Sequence, residues 1–225
     1  MLLLDLLIPA RCAGCGARGA PCCARCAGVW GSVSEVVRVP VAGVARVFAL
    51  ARYRGVARRL LIAYKERGRR DLAASLGRAL AEALVVLPLR ACAGARNGSD
   101  SAGAVCLVPA PSRRSAARVR GGPHVERLAA AAASVLAGWG FEVAVAPALE
   151  LTGGARDAVG LDRAERAANL AGRLRFREAG RPPPGFPVVV LDDVITTGAT
   201  AAACVRALEG EGIEVAAVLT LLAAG

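Results

Sequence analysis

From residue 36 onward the chain alternates between two hydrophobic rhythms. Short runs of Val, Ile and Leu predict buried strands, and longer segments with apolar residues three and four apart predict helices. VVRVPVAG and VARVFALARY predict a hairpin turning at Ala42-Gly43. GVARRLLIAYKERG follows as a helix, with Val56, Leu60, Leu61 and Tyr64 on one face and Arg58, Arg59 and Lys65 elsewhere. DLAASLGRALAEALVVL predicts a second helix, with Asp71 placed to cap its N-terminus. Residues 90–103, RACAGARNGSDSAG, form a polar, Gly/Ser-rich connection. A buried strand at AVCLVPAP comes next, then a basic loop, an Ala-rich helix ending near Gly138, and a strand over FEVAVAPALEL. LDRAERAANLAG predicts a short helix and RPPPGFP a stiff exposed loop. The last unit is the strand VVVLDDVI, a helix from about Gly198 to Leu208, a stop at Gly210 and Gly212, and the strand IEVAAVLTLLA. That is a βαβ unit whose crossover is long enough for parallel pairing. The alternation implies an α/β fold: an open, mostly parallel sheet with helices on both faces.

At 225 residues the chain suffices for one sizeable domain with a small appendage, divided here into residues 1–35 and 36–225. It is 55% hydrophobic but only 4% aromatic, so the core is mostly Ala, Val and Leu. A net charge of +11 favours anionic partners: nucleic acid, phosphorylated metabolites or an acidic membrane face. Lys65 is the only lysine and His124 the only histidine, in a chain that otherwise uses arginine. The apolar N-terminal stretch MLLLDLLIP, expected to be a short helix, is interrupted by Asp5 and lacks a basic n-region. It is too short to cross a bilayer, and the other apolar stretches are broken by Arg, Glu or Gly, so a cytoplasmic protein without a membrane span is expected.

Residues 12–26, CAGCGARGAPCCARC, hold two C-x-x-C pairs, Cys12/Cys15 and Cys23/Cys26, with Cys22 left over. Each C-x-x-C turn presents two thiolates to one ion, and two turns complete a tetrahedral shell of four cysteines, which predicts structural Zn²⁺. Cys22 and Cys23 compete for the third position; Cys23 keeps the spacing to Cys26. A disulfide or a redox C-x-x-C is the alternative use of these residues.

The strand VVVL runs into Asp192 and Asp193 and then into VITTGAT. In open parallel sheets ligands bind beyond the carboxyl ends of the strands. Thr196, Thr197, Gly198, Ala199 and Thr200 place main-chain N–H groups and hydroxyls just before a helix N-terminus, a cradle for phosphate. Carboxylates repel phosphate, so Asp192 and Asp193 must address another part of the same ligand. Ribose hydroxyls fit, which implies a 5-phosphorylated ribose. An ordinary helix capped by Thr196 or Thr197 accounts for one threonine but not for the whole set.

This segment resembles the 13-residue signature by which type I phosphoribosyltransferases bind PRPP (5-phosphoribosyl 1-diphosphate). The resemblance implies that Asp192 and Asp193 meet the ribose hydroxyls, that Thr196–Thr200 hold the 5-phosphate, and that Mg²⁺ accompanies the diphosphate of PRPP. The wider layout is similar to the ComF family, phosphoribosyltransferase-like proteins named for DNA uptake in competence. The match rests on the four-cysteine knuckle after an apolar start, Y-R-G…K, VPAPSRR, R-x-R-G-x-x-H and GLDRAERAANLAG. It extends over nearly the whole chain apart from 90–103. The chain departs from that pattern with Pro123 before His124 and with Asp157 where many relatives carry Gln.

By the same resemblance, Pro109, Ala110 and Arg113 or Arg114 belong to a diphosphate-binding loop, the arginine pairing bidentately. Arg118, Arg120 and His124 belong to a glycine-rich hood over the leaving group, or else to a solvated basic loop. Lys65 is a further site candidate or a surface residue. Arg166 and Asn169 fall in an E-R-x-x-N pattern that suits either a substrate contact or a salt-bridged helix. Two functions follow. One is Mg²⁺-dependent transfer of phosphoribose to an unidentified acceptor. The other is an accessory of DNA uptake that binds single-stranded DNA or the uptake helicase machinery and keeps PRPP binding for structure or sensing.

Overall fold

The computed structural model describes residues 10–89, 103–112, 122–152 and 173–225. The expected N-terminal helix, the 90–103 connection up to residue 102, Arg113, Arg114, Arg118, Arg120, Asp157, Arg166 and Asn169 lie outside the described residues. The elements in chain order are α1 (Ala24–Ala27), β1 (Ser34–Glu35), β2 (Val47–Arg52), α2 (Gly55–Glu66), α3 (Ala73–Val86), β3 (Ala104–Pro109), α4 (His124–Gly138) and β4 (Glu142–Val145). They continue with β5 (Leu149–Leu151), β6 (Leu174–Phe176), β7 (Val188–Ile195), α5 (Ala199–Glu209) and β8 (Val215–Ala223).

Six strands form one sheet in the order β1-β2-β8-β7-β3-β4. Only its β1/β2 pair is antiparallel; the other ladders are parallel. The chain is therefore α/β with a mostly parallel sheet, as the alternation implies. Alternate strand residues feed two cores. Leu107, Val189, Leu191 and Leu219 face the helices α2, α3 and α4. Val108, Val190 and Val218 face α5 and the small β5/β6 sheet. Full burial of a leucine such as Leu60, Leu80 or Leu191 stabilises the fold by roughly 1.5–3 kcal/mol. Helices α3 and α4 approach closely where Gly77 meets Ala131; a Cβ on Gly77 would lie 2.5 Å from that of Ala131.

Three local expectations are corrected. The first hairpin strand is not VVRVPV: pairing covers Ser34 and Glu35 only, and Val39–Val41 form a 3-10 turn. Pro40 lacks the N–H that a ladder requires and opens such a turn readily. Asp71 caps no helix; it lies within a 3-10 turn before α3 and binds Arg69 bidentately at 2.8 and 2.9 Å. FEVAVAPALEL is two strands in two sheets, because Pro147 ends the ladder between Val145 and Leu149.

The connectivity makes a switch point. From β3 the chain crosses through α4 to β4 on one side, and from β7 it crosses through α5 to β8 on the other. The two helices pack on opposite faces. Open parallel sheets of this connectivity take their ligands beyond the carboxyl ends of the strands that flank the switch point, here β3 and β7. Strand β3 pairs with β7 only as far as Leu191, whereas β8 follows β7 to Ile195. Along Asp192–Ile195 no strand of the described residues pairs with β7 on its β3 side.

Candidate functional site

Asp193 continues the face of Val189 and Leu191 and is 4% exposed. A bare carboxylate at such a depth is strongly disfavoured. Two partners meet it on one oxygen: Lys65 Nζ at 2.6 Å and His124 Nε2 at 2.8 Å, both on Oδ2. Lys65 arrives from the last turn of α2, and His124 is the first residue of α4. Neighbouring Tyr64 donates its hydroxyl to the His124 carbonyl at 2.7 Å and so ties these two helix ends together. Burial alone would raise the Asp193 pKa. The His124 hydrogen bond and the Lys65 charge outweigh it and hold the carboxylate well below its usual range.

Asp192 starts on the opposite face, with Val188 and Val190, under α5. Its Oδ1 turns back to accept the N–H of Asp193 at 2.8 Å. Burial and the adjacent Asp193 carboxylate push its pKa well above the usual carboxylate range. The two adjacent acids thus differ in character: Asp193 is a fixed anion, while Asp192 retains a proton readily and can donate as well as accept.

Thr196 to Gly198 carry the chain from β7 into α5. Gly198 is the residue before the helix, with φ of 86°, a conformation that favours glycine. The main-chain N–H groups of Thr196, Thr197 and Gly198 make no main-chain hydrogen bond among the described residues. Thr197 Oγ1 accepts the N–H of Ala199 at 3.3 Å, a local turn, while no side chain caps α5 itself. Unpaired amides at the positive end of a helix dipole suit an anion.

Arg38 was not singled out by the sequence pattern, yet it organises this loop. Its Nε donates to the Thr196 carbonyl at 2.7 Å and its Nη2 to the Ala224 carbonyl at 2.6 Å. Its Cβ lies where a Gly198 side chain would begin, 2.8 Å from an ideal Cβ. Nothing in the local sequence separates Arg38 from the other arginines, since Thr196 is 158 residues away.

Pro109 and Ala110 close β3 beside this site, Ala110 donating its N–H to the Leu191 carbonyl at 2.8 Å. Among the described residues, Ser112 Oγ, just beyond them, is buried without a hydrogen-bond partner, and so is His124 Nδ1.

The cysteine head is a second centre. The Sγ atoms of Cys12, Cys15, Cys23 and Cys26 all lie within 4.8 Å of one another. The Cys15–Cys23 separation of 3.7 Å matches the edge of a tetrahedron with metal–sulfur bonds of about 2.3 Å. These four can hold a metal such as zinc. Cys22 stands outside the set, its thiol raised by burial, so Cys23 supplies the third position. Burial opposes ionisation of Cys12, but N–H groups of Cys23, Cys15 and Gly14 outweigh it and bring that thiol down to about 6. Arg59 Nε binds the Gly14 carbonyl at 2.7 Å and Arg69 Nη2 the Arg11 carbonyl at 3.0 Å, which docks the head on α2 and the turn after it. Cys12 and Cys26 share the core of the main sheet.

No helix among the described residues is long and apolar enough to cross a membrane. No family model matches the chain, and no curated protein matches it.

Proposed function

We propose that the crevice at the end of β7 binds PRPP and that the chain transfers its phosphoribosyl group to an acceptor. The 5-phosphate rests on the amides of Thr196–Thr200 at the start of α5, and the ribose hydroxyls meet Asp192 and Asp193. The observation that carries this reading is one strand end offering both an unpaired amide cradle around Gly198 and a pinned, buried carboxylate at Asp193. A phosphate site alone would leave that carboxylate without purpose. A metal site would leave the amides without purpose. The likeness of VVVLDDVITTGAT to the PRPP signature, and of the wider chain to the ComF family, supports the same reading.

In the transfer, an acceptor lone pair forms a bond to ribose C1 while the bond from C1 to the diphosphate oxygen breaks. The diphosphate leaves with the electron pair, and the acceptor gives up a proton to solvent. Mg²⁺ is expected to arrive on the diphosphate and to neutralise its charge. The protein's share is to orient the sugar and to exclude water from a centre that gains positive character.

The test is calorimetric binding of PRPP with Mg²⁺ to the wild-type chain and to the double variant Asp192→Asn/Asp193→Asn, followed by diphosphate release across a panel of acceptors. A loss of at least about tenfold in affinity is expected for the double variant, the scale of a lost hydrogen bond to a charged group. Unchanged affinity would remove the site assignment. PRPP binding without turnover on any acceptor, together with salt-sensitive binding of single-stranded DNA, would favour the accessory role in place of the transferase.

A further inference from the structure

The chain contains one lysine and one histidine, and both meet at Oδ2 of Asp193. They come from two different helices, and neither contact falls on Oδ1. His124 is 5% exposed, and with Nε2 committed to Asp193 its Nδ1 is buried with no partner among the described residues. Lys65 remains partly open to solvent. A carboxylate that needed only neutralising would be served by one cation. Two donors on a single oxygen restrict the rotation of the group and fix where its other oxygen lies.

We propose that Lys65 and His124 are positioning residues for sugar recognition: they fix Asp193 through Oδ2 so that Oδ1 accepts one hydroxyl of a vicinal diol on a 5-phosphorylated sugar. This rests on the sugar-phosphate reading above and adds what makes the site discriminate between sugars. The lysine brings the charge that keeps Asp193 an acceptor. The imidazole sets the angle, on a residue at the start of α4 whose main-chain carbonyl accepts the Tyr64 hydroxyl. Arginine would offer a broad fork in place of a compact ammonium, which accounts for a lone lysine at this position in an arginine-rich chain.

The single lysine and histidine make the test direct, because each side chain gives one unambiguous NMR signal. The full zinc-loaded chain is titrated with ribose 5-phosphate, its 2-deoxy and 3-deoxy analogues, and inorganic phosphate, with affinities from calorimetry. Ribose 5-phosphate is expected to bind at least about tenfold tighter than one of the deoxy sugars. It is expected to shift the His124 ring nitrogens and the Lys65 amine, while inorganic phosphate shifts only the amides of Thr196–Thr200. K65M and H124F should bring the discrimination between sugars below about threefold and keep the affinity for inorganic phosphate; K65R and H124Q, which keep a donor, should restore part of it. A bound ribose 5-phosphate with silent His124 and Lys65 signals overturns the proposal, as does wild-type discrimination in K65M and H124F. The wild-type spectra decide the matter even where a variant does not fold. If no sugar phosphate moves the Thr196–Thr200 amides, the sugar-phosphate reading itself falls and this proposal with it, a result distinguishable from a bound sugar with silent side chains.

Discussion

Asp192 and Asp193 are adjacent and chemically identical, yet their surroundings separate them. Asp193 is held down by His124 and Lys65, and Asp192 is pushed up by burial and by Asp193 itself. The separation has a consequence for stability. Unfolded, Asp192 titrates at about 3.9; in the folded chain burial and the neighbouring Asp193 carboxylate push it up to about 8. Between those values the folded chain holds one proton more than the unfolded chain, so unfolding free energy should fall as pH rises, by at most about 1.4 kcal/mol per pH unit. Asp193 acts with the opposite sign in a lower window: its contribution is present above the unfolded value and is lost in acid. Urea unfolding at pH 5, 6, 7 and 8 should therefore show a flatter dependence in Asp192→Asn than in wild type. Parallel curves would contradict the assignment. At this scale much of the site was legible beforehand. The rarity of Lys65 and His124 marked them, and the run of acids, threonines and glycine marked 192–200. Their meeting on one oxygen was not legible, because it depends on how α2 and α4 pack against β7. Arg38 carried no mark at all.

Among the elements, the loop before α5 has the most stringent geometry. Gly198 has a φ of 86°, and Arg38 and Val41 occupy the space beside it. Gly198→Ala should cost about 1–2 kcal/mol for the left-handed backbone, with a further loss from displacing Arg38. If the loop is the phosphate cradle, the same variant should also lose inorganic phosphate binding. Thermal unfolding and a phosphate titration on one sample check both, and a variant that binds phosphate like wild type would contradict the cradle. The elements misread from sequence share a cause. Around Val39–Val41 and at Pro147, β-branched and apolar residues promise a ladder that a proline cannot join. At Asp71 a suitable cap was drawn to Arg69, and α3 starts after it. Hydrophobic rhythm reports burial well, but main-chain hydrogen bonding and local ion pairs decide where an element begins and ends.

For the whole molecule, the class of the fold followed from alternation, whereas the strand order did not. Parallel strands of similar composition offer few clues to who neighbours whom. Yet it is the order β8-β7-β3 that creates the switch point at Asp192–Ile195. The cysteine head was legible except for the choice between Cys22 and Cys23, which the fold makes by grouping Cys23 with Cys12, Cys15 and Cys26. It should bind one zinc per chain: metal analysis of Cys23→Ser should show a marked loss, and of Cys22→Ser none, while equal loss in both would contradict the four-cysteine set. Its docking through Arg59 and Arg69 places it against α2, the helix that delivers Lys65 to Asp193. The central claim remains that the crevice takes a phosphorylated ribose. Its most direct test is to titrate the wild-type chain with PRPP and Mg²⁺ while following the amides of Thr196–Thr200 together with the single histidine. Saturable shifts in both sets, with one shared dissociation constant, are the predicted result. Shifts in neither, at millimolar PRPP, would contradict it.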